Sequence, residues 1–445
     1  MKYNPRMKRD LSHYLLSWKN SQNRKPILLR GARQVGKSYL AKEFGRQFDD
    51  YIEINFELEP AFKSFFDQNL KPARIIRDIA LATGHTITPG KTLLFLDEIQ
   101  ECHKALTSLR YFYEKMPQLH VIAAGSLIEF ALEEIGLPVG RVKPLYLYPL
   151  SFMEFLTAKG QDMLREEIEN YTPVEEAPEF FHQKLLGMLG EYMAVGGMPE
   201  AVTTWIETEN LKKCNAVHQD LIDTFRQDFS KYARKRKQQY VEMVFNAIPR
   251  LIGKKFVFTA VSPDLRAREL RPALELLSKA GIAHVIYHSS ANGLPLGAEI
   301  NPLISKVIFL DIALAQVMLG IDGGKWILEP TQTVVNLGAI TEAFVGQEIL
   351  AYSPPDRKSS LYYWLREKSG RAEIDYITGI NGNVIPIEVK SGVTGSLKSL
   401  KLFLEKKKNA PYGIQLSQRN FFVDEGRRIR GYPLYALFAA LRDTN

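Results

Sequence analysis

Between residue 26 and about residue 150, short apolar runs alternate with stretches of helical spacing. Pro26–Arg30, Tyr51–Phe56, Leu93–Leu96 and Leu119–Ala124 read as strands, and Ser38–Phe48 reads as a helix. Alternation of this kind predicts a parallel sheet covered by helices on both faces. Residues 1–25 form a basic amphipathic pattern that leads into the first strand. Beyond 150 the pattern turns helical, over Glu154–Lys159 and Glu179–Val195, with a sharp break at Gly196-Gly197-Met198-Pro199. Asp220–Ile252 predicts two helices. Arg266–Lys279 predicts another, stopped by Gly281, and strands at Ile282–Tyr287 and Lys306–Leu310 flank the loop Ser289–Ser305. A helix followed by a hairpin is the winged-helix pattern. The last segment reads as an apolar helix at Gly338–Tyr352 and strands at Leu361–Leu365, Glu373–Ile377 and Val384–Lys390.

The turn between the first strand and its helix is Gly31-Ala32-Arg33-Gln34-Val35-Gly36-Lys37-Ser38, which fits G-x-x-x-x-G-K-[ST] at every fixed position. Gly31 and Gly36 let the backbone curl so that successive N–H groups point at phosphate oxygens, and the helix N-terminus adds its positive end. Lys37 would reach the β- and γ-phosphates, and the Ser38 hydroxyl would ligate Mg²⁺. The strand Thr92–Leu96 then ends in two adjacent acids. Asp97 at the tip would hold Mg²⁺, and Glu98 would polarise the attacking water. Together the two motifs predict an ATP site. Ser126, just past the Leu119–Ala124 strand, is placed either to sense the γ-phosphate or to cap the next helix.

Composition narrows the class. The 445 residues are too many for one ordinary core, so two or three domains are expected. Cys102 and Cys214 are the only two cysteines and have no metal-ligand spacing, as in a reduced protein without disulfides. The N-terminus has no apolar signal-peptide core and no run is long enough to span a membrane, which makes the cytoplasm the expected location. A net charge of +8 permits DNA as a partner. Lys231–Lys237 carries five cations in seven positions, either to grip phosphates or as a solvated helix face. Arg266, Arg268 and Arg271 open the winged-helix helix, where they would face DNA or a protein partner.

A second chemical site is predicted near the C-terminus. Glu388 and Lys390 sit two apart on one strand and so share a face, and Asp375 lies on the preceding strand. Two carboxylates and a lysine in D-x12-E-V-K order match the PD-(D/E)xK pattern of metal-dependent phosphodiester cleavage, with Asp375 and Glu388 as metal ligands and Lys390 stabilising charge. The bland alternative is a salt-bridged polar strand face. Glu342 and Glu348 lie roughly 120° apart on their helix at ~100° per residue, so at most one of them joins the site; Glu342 is the metal-ligand candidate.

With these motifs the chain resembles a prokaryotic family of AAA-type ATPases whose C-terminal domain of obscure function carries nuclease-like motifs. The resemblance rests on residues 30–38, Leu96-Asp97-Glu98-Ile99-Gln100, Gly125-Ser126, Gly140-Arg141, residues 148–155, 195–202 and 309–314, and the block 364–392. It implies ATP binding with slow hydrolysis. It also implies a phosphate-sensing role for Arg141, whose alternative is a turn arginine paired to an acid. Ser38 stands where threonine is common, and Ile374-Asp375-Tyr376 replaces a usual Val-Asp-Phe, with no catalytic group lost. The expected fold class is α/β. A P-loop NTPase parallel-sheet domain with a helical lid (1–200) is followed by a helical and winged-helix module (201–335) and a restriction-endonuclease-like α/β domain (336–445). The expected protein is a Mg²⁺-dependent ATPase acting on or regulated by DNA. The rival is a nucleotide-dependent protein-interaction switch with a non-cleaving C-terminal domain.

Overall fold

Strands β1 (Ile27–Arg30), β3 (Thr92–Asp97) and β4 (His120–Ala124) are buried at nearly every position, whereas β2 (Asp50–Asn55) alternates buried and exposed residues and β5 (Lys143–Tyr146) is only partly covered. Continuous apolar runs belong in the middle of a parallel sheet, where helices cover both faces. The computed structural model, which describes residues 7–136, 140–171, 175–232, 235–366, 372–390 and 397–442, places them there. The order is β2-β3-β4-β1-β5, all parallel, as in P-loop NTPases. Ile75 and Ile79 of the Pro72–Thr83 helix and Leu106, Leu109 and Phe112 of the His103–Lys115 helix pack on Ile54, Leu94, Leu96 and Val121 to form the core of one face. Because β4 lies between β1 and β3, its tip opens between the two sequence motifs.

This first compact unit comprises residues 8–148 together with 354–358. The second comprises 149–353 and 359–445, with Met7. Residues 149–200, expected to complete the 1–200 domain with its lid, therefore group with the C-terminal region. Their packing explains why: the Phe152 N–H, at the start of the Phe152–Ala158 helix, donates to Glu348 of the Gly338–Tyr352 helix.

The second unit is built on one eight-stranded mixed sheet. Its strands are β6 (Ala283–Ser289), β7 (Ile300–Phe309), β8 (Leu361–Leu365), β9 (Glu373–Ile380), β10 (Asn383–Val389), β11 (Gly413–Ser417), β12 (Phe422–Asp424) and β13 (Ile429–Pro433). The order is β12-β13-β11-β10-β9-β8-β6-β7. The helix Ala267–Lys279 and the β6–β7 hairpin that follows it are present as expected, but the hairpin is no free wing. β6 pairs parallel with β8, so the segments expected as separate domains at 201–335 and 336–445 share a sheet. Joining the two leaves neither β6 nor β8 with an open hydrogen-bonding edge. The same join puts β9 and β10 in the middle of the sheet.

The expected break at Gly196-Gly197 is a packing joint. The Gly197 N–H donates to Asp311 Oδ2 at 2.7 Å, and Asp311 also caps the Ile312–Leu319 helix through Ala313 and Leu314. A Cβ on Gly197 would lie 2.2 Å from the Leu150 carbonyl oxygen. Among the described residues no single helix is long and apolar enough to cross a membrane. The apolar Pro330–Asn336 and Gly338–Tyr352 helices meet at 98°, and the second is buried along most of its length.

Overpacking at the joint should be costly. Gly197→Ala should destabilise the protein by about 1–3 kcal/mol and lower its thermal midpoint. Gly187→Ala, on the Glu179–Val195 helix where an added Cβ meets nothing within 4 Å, should be neutral or stabilising.

Candidate functional site

The Gly31–Ser38 segment forms a tight loop through two left-handed residues, Gln34 (φ 63°) and Gly36 (φ 94°), before the Lys37–Gly45 helix begins. Gly31 also has a positive φ, and a Cβ there would fall 2.1 Å from the Leu147 carbonyl oxygen, so only glycine fits. The Lys37 ammonium is buried and donates to the carbonyls of Gly31 and Ala32 at 3.0 and 2.7 Å. Burial pushes its pKa down to about 8, with Glu98 and Asp97 acting in the opposite direction. Ser38 Oγ donates to Asp97 Oδ2 at 2.7 Å. The hydroxyl expected to ligate Mg²⁺ and the carboxylate expected to hold it therefore touch. Burial raises Asp97 to about 6, against the Ser38 hydrogen bond.

Glu98 takes a left-handed backbone (φ 46°), which turns its side chain out of the strand direction. Its Oε2 accepts from Gln100 Nε2 at 2.6 Å, and Ser126 Oγ and N–H lie 3.3 and 3.4 Å away. Ser126 thus contacts the candidate water-activating acid. The N-cap of the following helix is Leu127, which makes no side-chain cap. Gln100 was not singled out from sequence, although it lies two residues past Glu98. The bare Cα of Gly125 makes room for it, since a Cβ there would sit 2.0 Å from Gln100 Oε1. Arg141 joins none of these contacts. Its Nε donates to Glu114 at 2.9 Å, the paired-turn alternative to phosphate sensing.

These residues fit a magnesium nucleotide. The loop is one that a Cβ at Gly31 would fill, and it sets Lys37 and the Ser38 hydroxyl at a helix N-terminus beyond β1, with the Asp97 carboxylate at the tip of β3, one strand away across β4.

In the second unit Asp375, Glu388 and Lys390 come together. The β9–β10 register pairs Tyr376 with Ile387, so the next step sets Asp375 opposite Glu388 with both side chains on one face. Asp375 Oδ2 accepts from the Val389 N–H at 2.8 Å, and Lys390 pairs with Glu388. Glu342 is the helix acid that joins them. Glu348 lies elsewhere, accepting from Phe152 N–H and 3.1 Å from the Tyr192 hydroxyl. Two further residues were not anticipated. Lys306 of β7 is buried and bridges Glu342, at 2.7 Å, and Glu373.

Four carboxylates thus face two ammonium groups. Burial, then the charge of Glu388, raises Asp375 to about 7; burial, then Asp375, raises Glu342 to about 7. Glu388 is also raised by burial, and its Oε2 is buried without a hydrogen-bond partner. Burial alone would lower Lys306, but Glu342 and Glu373 hold it above its ordinary value. Of the acids expected as a metal set, Glu342 contacts Lys306, Asp375 the Val389 N–H and Glu388 Lys390. Among the described residues no group of three or more His, Cys, Asp or Glu is arranged to hold a metal ion.

Of the expected basic surfaces, Arg266 and Arg268 are exposed, and Arg271 lies over the Phe258 ring at 5.5 Å. Ala233 and Arg234 lie outside the described residues, as do the side chains of the 231–236 cluster; Lys237 is exposed. Cys102 and Cys214 are both free and buried.

Comparison with known proteins agrees with the first unit. Residues 23–156 match the family model described as an AAA domain, in keeping with the strand order and the two motifs. Residues 187–325 and 337–435 each match a model described only as a domain of unknown function. No curated protein sequence matches the chain. Among solved structures, a Walker-type ATPase of Pyrococcus abyssi is 17% identical, with 70% of this chain and 96% of that one covered at a TM-score of 0.44. The Aeropyrum pernix Orc1 protein, solved in complex with DNA, is 14% identical over 72% and 93% at 0.30. AMPPCP-bound DnaA from Aquifex aeolicus is 13% identical over 61% and 91% at 0.27. Superpositions this loose say nothing of what the present chain binds.

Two expectations follow from the shifted groups. Phosphates beside Lys37 will raise a pKa now near 8, and a cation on Asp97 will lower one now near 6. Binding of Mg²⁺–ATP should therefore take up protons at pH 8 and release them near pH 6, read from the buffer dependence of the calorimetric heat. In the second unit, Lys306→Met should cost about 3–5 kcal/mol at pH 8. The loss should shrink toward pH 5: the folded pKa values of Glu342 and Asp375 exceed their unfolded ones, so stability is present at low pH and lost as pH rises through about 7. Thermal midpoints measured across pH check this.

Proposed function

We propose that the chain is a Mg²⁺-dependent ATPase that acts on, or is regulated by, DNA through its second unit. One observation carries the ATPase reading: the Ser38 hydroxyl and the Asp97 carboxylate meet at 2.7 Å beside the buried Lys37 ammonium. Lys37 would exchange its bonds to the Gly31 and Ala32 carbonyls for phosphate oxygens, a swap of neutral for charged acceptors. Ser38 and Asp97 would hold the metal, which when bound screens phosphate charge during transfer. Glu98 would orient water and take its proton at Oε1 or Oε2, with Gln100 and Ser126 fixing the carboxylate.

The DNA part of the proposal draws support from the net charge of +8 and from exposed Arg266 and Arg268 at the start of the Ala267–Lys279 helix. The Asp375–Glu388–Lys390 grouping supports a nuclease-like ancestry. A second reading, a nucleotide-dependent protein-interaction switch, is favoured by one observation. Lys306 already bridges Glu342 and Glu373, which suits an acid cluster that stabilises a scaffold.

Nucleotide binding and turnover, measured with and without DNA over a range of salt, separate the readings. Lys37→Ala should abolish binding, and Glu98→Gln should bind ATP normally while losing turnover; wild-type hydrolysis by Glu98→Gln would remove Glu98 from its role. DNA binding should weaken steeply with salt. If Arg266 and Arg268 each neutralise one phosphate, Arg266→Ala or Arg268→Ala should flatten the log–log slope by ~0.9. Salt-independent DNA binding, or none, favours the switch. Mg²⁺- or Mn²⁺-dependent nicking of plasmid that disappears in Asp375→Asn would establish cleavage.

A further inference from the structure

Arg9 belongs to neither motif and lies well before the phosphate loop in sequence, yet its side chain is 6% exposed and ends against that loop. Its Nη1 donates to the Val35 carbonyl and its Nη2 to the Tyr148 carbonyl, each at 2.7 Å. Val35 is flanked by the left-handed residues Gln34 and Gly36, so the peptide that Arg9 grips is the one the loop must hold in an unusual orientation. In a trans peptide the carbonyl of one residue and the N–H of the next point in opposite directions. Drawing the Val35 oxygen toward Arg9 therefore turns the Gly36 N–H away from it, toward the side on which a phosphate would bind. Lys37 cannot do this, because it takes the carbonyls of Gly31 and Ala32. The second carbonyl ties the loop to the last residue of the 8–148 segment, just beyond Leu147, whose N–H donates to Arg30 and whose carbonyl crowds Gly31. A planar guanidinium holds two carbonyls in one fixed fork, and an ammonium does not.

We infer that Arg9 is a positioning residue of the phosphate loop: it orients the Val35–Gly36 peptide for phosphate binding and fixes that peptide to the segment through which the chain leaves the unit. The inference rests on the ATPase reading.

The test is binding of a fluorescent ATP analogue with Mg²⁺ to the full-length protein. A hydrogen bond to a charged group corresponds to roughly a ten- to hundredfold change in an equilibrium constant. Arg9→Ala should weaken binding by about that factor, and millimolar guanidinium should restore part of the loss while leaving wild type unaffected. Arg9→Lys, which keeps the cation and loses the fork, should fall between the two, and serves if Arg9→Ala does not fold. A simple structural staple predicts otherwise: a lower thermal midpoint, wild-type affinity in the folded protein and no response to guanidinium. That result overturns the inference, as does unchanged affinity in Arg9→Lys. Wild-type protein that binds no nucleotide overturns the ATPase reading itself, whereas wild-type binding with unaltered variants overturns only the role of Arg9.

Discussion

The first unit is organised around one demand, that several consecutive backbone N–H groups point the same way. A peptide that turns its N–H toward a ligand turns its carbonyl elsewhere, and those carbonyls need partners of their own. Here the partners are cations. Lys37 takes Gly31 and Ala32, and Arg9 takes Val35. The left-handed turns at Gln34 and Gly36 and the missing Cβ of Gly31 make the curl possible, and the sheet order brings β4 between the strands that carry the two halves of the site. Lys37 therefore has a structural task in the unliganded protein and a chemical one in the loaded protein.

The second unit meets the opposite problem. Several of its charged groups are buried beside β9 and β10, where solvent screens them poorly. Burial first, and then repulsion among Glu342, Glu373, Asp375 and Glu388 that Lys306 and Lys390 offset only in part, holds three of the acids above their ordinary pKa values. The two lysines come from distant parts of the chain, Lys390 from the end of β10 and Lys306 from the hairpin of β6 and β7. That hairpin is therefore part of the acid site, and the cluster is electrically incomplete without it.

What could be read from sequence was local. The G-x-x-x-x-G-K-S turn and the Asp97-Glu98 strand end are defined by neighbours within a few residues, and Glu388 and Lys390 share a face by strand alternation alone. Of the resemblance, the AAA part is supported over residues 23–156; the matches over 187–325 and 337–435, where the nuclease-like motifs lie, carry no stated function. Contacts set by long-range packing were not legible. Arg9 reaches the loop from across 26 residues, and Lys306 reaches Glu342 only because β6 pairs with β8. The choice between Glu342 and Glu348 depended on what packs on each side of their helix. Gln100 was visible beside Glu98, but its role depends on the left-handed turn that brings the two side chains together.

The first unit is not continuous in sequence. Its edge strand β5 ends at Tyr146, whose N–H is satisfied by the Pro355 carbonyl, and Tyr14 meets Asp356 in the same returning segment. On a ribosome working at ~5–20 residues per second, the 206 residues that follow Tyr148 up to Pro354 (354 − 148) take on the order of 10–40 s to appear. During that interval the edge strand lacks the hydrogen bond that the returning segment gives it at Tyr146, and an unpaired edge is a template for pairing with a neighbouring chain. The vulnerable moment of this protein's life thus falls during its synthesis, and a truncation that ends near residue 148 would make that exposure permanent.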